Sequence, residues 1–381
     1  MTIDGAALTG IVLVLVGMTT PAALAQSSSA PDFARGDEWA TDFSRISVPA
    51  GDIVSGGPPK DGIPAVDDPK FESVESADSW LGDRDPVLVI VRDGVVKAYP
   101  LGILIWHEIV NDEISGLPIT ATFCPLCNTA LVFVAEVDGT ALDFGTTGRL
   151  RHSDLIMYDR QTESWWQQAL GEAIVGEHLG AVLKLHPANQ FGWGMVRDRY
   201  PNALVLSRDT GHPGYMNRYG RNPYAGYDRS GNEPMRSFIR DRTDPRLPAM
   251  ERVVAVELGD GWAAPFGLLS EVRVVNARLD ETPFVVFWAP GNASALDSGD
   301  ISEGRDVGQT SVFDRRLDGK LLEFEFRDGR YRDVETGSEW DLTGRAVEGT
   351  LKGRSLTPVG HGNHFWFAWI VFRPDSELWS P

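Results

Sequence analysis

Short runs rich in β-branched residues, bounded by turn residues, dominate the chain from residue 85 onward. Val87–Val91, Pro118–Phe123, Leu131–Val137 and Ala203–Ser207 read as strands. Asp93-Gly94 and Asp138-Gly139 have the dipeptide of tight hairpin turns. Pro100–Val110 reads as a short helix, with Pro in its first turn and apolar Leu101, Leu104, Ile105 and Ile109. The pattern predicts an α+β fold with more strand than helix.

The pattern also repeats. Thr162-Glu163-Ser164-Trp165-Trp166 recurs as Thr336-Gly337-Ser338-Glu339-Trp340. After a one-residue gap, Ala173, Gly176, Gly180 and Leu183 meet Ala346, Gly349, Gly353 and Leu356, and Trp193 and Pro201 meet Trp366 and Pro374. Upstream, Pro100 and Gly102 pair with Pro265 and Gly267, Val110-Asn111 with Val275-Asn276, and Pro118 with Pro283. Gly, Pro and Trp kept in register over such a span predict two tandem degenerate copies of one domain. The first copy takes 85–204, a Tyr-rich connector 205–250, and the second copy 251–381. In the connector, Tyr215, Tyr219, Tyr224 and Tyr227 lie among Gly, Asn, Pro and Arg, as aromatic padding against a domain would.

The N-terminal 84 residues differ in texture. Ala6–Met18 is an apolar run, and small residues at Ala23 and Ala25 fit cleavage before Gln26. Residues 1–25 are therefore expected to be a signal peptide for export to the periplasm or the cell exterior. Met1–Gly5 carries an Asp and no Lys or Arg, which leaves an uncleaved N-terminal membrane anchor as the alternative. No later segment is apolar for long enough to span a bilayer. Residues 26–84, rich in Ser, Pro, Gly and Asp, read as an extended, partly ordered arm. A length of 381 residues allows two domains without disulfide or metal staples. The formal net charge of −19 argues against a nucleic-acid partner.

Positions shared by the two copies are most simply fold requirements, so reactive side chains found in one copy only are the candidates for chemistry. Cys124 and Cys127 are the only cysteines. The second copy has Trp288-Ala289-Pro290-Gly291 in the corresponding stretch, and Val272-Arg273 where the first has His107-Glu108. Gly145–Asp154 is a longer segment than its counterpart. Two thiols at C-x-x-C spacing bind one soft metal ion, cycle as a redox pair, or close a structural disulfide. As a metal site the expected ligands are Cys124, Cys127 and His107. Glu108 is displaced by about 100° on a helix and is expected behind the ligands, together with His152, Arg149, Gln167 and Gln168. Two thiolates with imidazole suit copper first and zinc second. The partner is then a metal ion, or a small-molecule or protein redox partner. Neither Ser153 nor Ser164 has a nucleophile-elbow context, and Asp154, Asp159 and Glu163 show no paired-carboxylate spacing. Gly145-Thr146-Thr147-Gly148 reads as a turn more readily than as an anion cradle. Whether the protein is an enzyme is left open by these residues.

Trp106–Asp112, Cys124–Ala130, Met157–Ser164 and Trp166-Gln167-Gln168 followed by Gly171–Gly176 resemble the signature segments of the domain-of-unknown-function family 3179. The resemblance covers about 85 to 230. It implies that His107, Glu108, both cysteines and Asp159–Ser164 belong to the family pattern, and it implies no reaction. His152 stands where the family more usually has Asn.

Overall fold

A computed structural model describes residues 30–229, 231–235, 238–239 and 244–381. The expected signal peptide and the first residues of the arm lie outside them. Among the described residues no helix is long and apolar enough to cross a membrane.

The molecule is strand-rich, with short helices and many small sheets. Strands Pro86–Arg92 and Val95–Pro100 form a hairpin about Asp93-Gly94, whose φ angles of 49° and 80° are those of a tight primed turn. Asn189–Gly192 and Leu204–Leu206 flank that hairpin, and Phe71–Glu72 closes its edge. Ile109–Ile114, Leu117–Cys124 and Thr129–Val134 make a second sheet, edged by Leu185–His186. Phe144–Arg151, Asp154–Asp159, Trp165–Gln167 and Glu172–Val175 make a third. The expected strand Leu131–Val137 divides, because Glu136–Val137 leaves to pair with Thr140–Ala141 across Asp138-Gly139. The expected helix is shorter than Pro100–Val110. It spans Leu101–His107 and stops where Glu108 turns into the left-handed region at φ 60°.

The C-terminal half runs through the same sheets in the same strand order. Its counterparts are His361–Phe365 beside Arg252–Val256 and Trp262–Pro265; Val274–Leu279 beside Thr282–Ala289 and Gln309–Asp314; and Phe324–Arg327 beside Arg330–Asp333, Glu339–Trp340 and Ala346–Glu348. Helix Phe266–Val272 ends at Arg273, φ 68°, as the first helix ends at Glu108. The hydrogen bonds agree in detail. Asp159 Oδ1 accepts from Thr162 N at 2.6 Å and its Oδ2 from Trp166 Nε1 at 2.8 Å; Asp333 does the same for Thr336 N at 2.6 Å and Trp340 Nε1 at 2.9 Å. Gly176 and Gly349, both at positive φ, press on Ser164 and Ser338, where a Cβ would come within 2.9 and 2.7 Å of the serine Cα. These contacts make Asp159–Ser164 a turn-forming motif. One alignment is corrected by a residue. Phe123 N donates to Glu108 O and Trp288 N to Arg273 O, so Cys124–Cys127 matches Ala289–Asn292, not Trp288–Gly291.

The arm is folded onto the N-terminal half over residues 30–84, against the expectation of partial order. Ile53–Ser55 pairs antiparallel with Arg149–Arg151. Phe33, Trp39 and Phe43 meet the fully buried Trp165 edge-on at 5.6, 4.8 and 5.4 Å. The connector also packs on the core, through Tyr219, Tyr224 and Tyr227.

The two halves meet where Thr129 Oγ1 bonds His364 Nδ1 at 2.9 Å. Burial pushes His361 down to about 4 and His364 to about 3, so both are neutral when folded. A group with a depressed folded pKa contributes stability that is present above its unfolded value, near 6.5, and is lost as the pH falls through the folded one. A His361→Gln, His364→Gln variant is therefore expected to show a flatter dependence of unfolding free energy on pH between 6.5 and 4. Denaturant unfolding in chelator checks this, and an unchanged slope refutes it.

Candidate metal centre

Cys124 closes strand Leu117–Cys124 and pairs with Thr129 at the start of the next strand. Between them Pro125–Cys127 forms one 3-10 turn, and Asn128 adopts φ 52°, which lets the chain reverse. The C-x-x-C is thus the loop of a hairpin. A strand and not a helix follows it, so the loop opens no helix whose N-terminus would favour a thiolate. The third sheet delivers a carboxylate to this loop. His152 and Ser153, at φ 56° and 69°, form the tight turn that starts strand Asp154–Asp159 at Asp154. Cys124 Sγ, Cys127 Sγ and one carboxylate oxygen of Asp154 lie within 4.8 Å of one another, all buried.

The carboxylate is held in place. Asp154 Oδ2 accepts from Gln167 Nε2 at 2.6 Å and from Ala169 N at 2.9 Å, while its buried Oδ1 makes no hydrogen bond. Gln167 Oε1 in turn accepts from Arg151 at 3.3 Å. Gln168 braces the hairpin itself, donating to Thr122 Oγ1 at 2.7 Å and Thr129 O at 3.3 Å. Both glutamines therefore stand behind the donor group, one under the carboxylate and one under the cysteine loop. From above, Tyr227 donates to Leu126 O at 3.1 Å.

Burial governs the electrostatics. It raises the Cys124 thiol, and it raises Cys127 well above the usual range, helped by the neighbouring Cys124. It lifts Asp154 to about 6 against the bonds from Ala169 and Gln167, and Glu108 to about 8 with added repulsion from Asp154. Thiols shifted this way are weaker nucleophiles for thiol–disulfide exchange than exposed thiolates. A cation reverses the balance, because metal ligands bind as thiolate and carboxylate.

His107 is not in this group. It is the last residue of the helix; its Nδ1 meets Pro64 O and its Nε2 the Tyr219 hydroxyl, each at 2.7 Å. Its ring packs with His212 and Tyr215, and burial holds it near 4. The left-handed turn at Glu108 explains the parting: His107 faces the connector while Glu108 interacts with Asp154 and Cys124. Arg149 is also elsewhere. It bonds Phe33 O and Arg35 O and pairs with Asp37 at 2.9 Å, fastening the arm. The His152 ring packs on Phe372 and lies 3.9 Å from Asp52; its backbone position at φ 56° is one that Asn adopts readily. Gly145–Gly148 is a bulged strand, with Gly148 against Pro58.

Asp154 was not among the expected ligands. Its trace in the sequence was the longer Gly145–Asp154 segment: hairpin Phe144–Asp159 outruns its counterpart Phe324–Asp333, and the extra length carries the carboxylate to the thiols.

The sequence match for proteins of unknown function, DUF3179, spans residues 60–376. The chain belongs to the DUF3179 family. The match extends past the segment from 85 to 230 on both sides, so the DUF3179 unit includes part of the arm and nearly all of the C-terminal half, through Ser376. No curated protein and no solved structure matches the chain.

Proposed function

We propose that this DUF3179 protein binds a divalent metal ion of borderline softness, zinc before copper, through Cys124, Cys127 and Asp154. The observation that carries the reading is the convergence of two thiols and a clamped carboxylate inside 4.8 Å, all buried. Copper was favoured while an imidazole was expected among the ligands. A carboxylate in its place suits Zn(II) better than Cu(I), which takes thiolate and thioether donors. With donors of this charge, a monovalent ion would also leave more uncompensated negative charge in a buried site.

The paired sheets and the shared Asp–Thr–Trp turn support an origin by duplication, with the thiols kept in one half. The apolar run Ala6–Met18 supports export, and an exported protein keeps two thiols reduced more readily when a metal holds them. The test is a native intact mass of the full chain purified without chelator. A mass excess of one metal ion per chain, lost on acidification, is the expected result. A metal-free mass short by two hydrogens would mean a disulfide and would overturn the reading.

A further inference from the structure

In the N-terminal half the long hairpin covers the turn that follows Trp166. Gln168 N donates to Leu155 O at 3.0 Å, and Ala169 N to Asp154 Oδ2 at 2.9 Å. The hairpin tip at His152 meets the ring of Phe372, just past helix Trp366–Ile370 of the other half, at 5.7 Å. In the C-terminal half the hairpin turns early, at Asp328-Gly329 with φ 54° and 78°. The corresponding turn, Asp341–Arg345, closes on itself: Thr343 N, the counterpart of Ala169 N, donates to Asp341 Oδ1 at 2.9 Å. Trp193 N bonds Asp85 O as Trp366 N bonds Glu251 O, so Arg199 is the counterpart of Phe372. A cleft of about 370 Å³ lies between Arg199 and this turn, and a second of about 230 Å³ shares Arg199, Asp341 and Val347 with it.

The cleft collects cations that the rest of the protein does not neutralise. Arg199, Arg345 and Lys352 line it, and all three are exposed. Among the described residues Arg345 and Lys352 form no ion pair, and Arg199 reaches only Asp341 Oδ2, at 3.6 Å. The other oxygen of Asp341 is taken by Thr343 N, by Thr343 Oγ1 at 2.5 Å and by Arg345 N at 3.3 Å. The remaining acids of the two clefts have partners of their own. Asp198 pairs with Arg197 at 3.3 Å, and Glu339 with Arg330 and Arg332 at 3.0 and 2.8 Å.

The N-terminal half is the internal control. Ala346 N to Arg354 O matches Ala173 N to Ala181 O, and Lys352 N to Gly349 O matches Leu179 N to Gly176 O. Arg345 therefore stands where the first half has Glu172, and Lys352 where it has Leu179. The cations occur in the half whose shorter hairpin leaves the place open. In a chain of formal net charge −19, three cations that share one already bonded carboxylate concentrate a local positive field.

We propose that this cleft between the halves binds a small polyanion carrying two or more phosphate or carboxylate groups, held by Arg199, Arg345 and Lys352. Guanidinium groups take such oxyanions through paired hydrogen bonds, and the ammonium adds a point charge. The volume of about 370 Å³ lies at the small end of ligand pockets. The cleft shares no residue with the thiol–Asp154 group, so its ligand is bound independently of any metal there.

The experiment is calorimetric titration of the full chain with pyrophosphate and, separately, with citrate. Low salt strengthens the signal, and a neutral chelator removes heat from metal exchange. Wild type is expected to bind at least one probe at one site per chain, more weakly as salt is raised. Arg345→Gln with Lys352→Gln, and Arg199→Gln alone, should each weaken that binding about tenfold or more. Arg327→Gln removes an exposed cation outside both clefts and should leave it unchanged. Thermal melts establish that each variant folds. Binding of pyrophosphate alone assigns the ligand to phosphates, of citrate alone to carboxylates, and of both to clustered oxyanion charge. A wild type that binds neither probe, or cleft variants that match its affinity, overturns the site.

Discussion

Replacing Cys124 and Cys127 together by Ser is expected to reduce the bound metal from one ion per chain to background. A serine hydroxyl does not ionise near neutral pH, so the substitution removes both anionic sulfur donors while changing shape little. Apparent affinities of structural thiolate sites amount to about 10–16 kcal/mol, and most of that resides in the thiolates. The expected consequence for stability is conditional. With zinc at about 1,000 times its dissociation constant, wild type should gain about 4 kcal/mol over its chelated form, and the double variant nothing. In chelator the two proteins should melt close together, because the empty thiols are neutral and buried. Elemental analysis with thermal melts in both conditions decides the matter. A double variant that keeps its metal would show that the ion sits elsewhere.

How much of this was readable in the chain depends on how local each cause is. The hairpin turns were readable because Asp93-Gly94 and Asp138-Gly139 encode their own positive φ angles. The paired sheets were readable because Gly, Pro and Trp do fixed work in both halves: Gly176 and Gly349 each leave room for a serine, and Trp166 and Trp340 each cap an aspartate. The end of the first helix was not readable, since nothing at Glu108 by itself demands a left-handed conformation. That single dihedral ends the helix at His107, whose ring meets Tyr219 and not the thiols.

Asp154 stayed hidden for a different reason. It reaches Cys127 only because two separate hairpins cross, and no spacing rule links residues brought together by sheet packing. Arg149, expected behind the metal ligands, lies elsewhere for a similar reason: its partners are carbonyls of a segment more than a hundred residues upstream. That segment was itself taken for a partly ordered arm, since its Phe33, Trp39 and Phe43 have no regular period. Their common partner, Trp165, supplies the order.

That dependence gives the second large effect. Trp165→Ala is expected to cost about 3–5 kcal/mol, the range for deleting a fully buried large aromatic side chain, and to free the arm. Trp165 is the hub that Phe33, Trp39 and Phe43 all contact, with Ile156, Tyr158, Ile174 and Val175 completing the apolar cluster that residues 30–48 join. The C-terminal half shows what this face becomes without an arm. Glu339 takes the place of Trp165 and forms ion pairs with Arg330 and Arg332 at 3.0 and 2.8 Å. A tryptophan is thus needed only where something covers it. Limited proteolysis of the variant should therefore cut within residues 30–55 much faster than in wild type, before the remainder unfolds. Phe43→Ala, which removes a contact from the arm's side, should raise the same cleavage with a smaller loss of stability. Unchanged cleavage in both variants would mean that strand Ile53–Ser55 and the Arg149–Asp37 pair suffice to hold the arm.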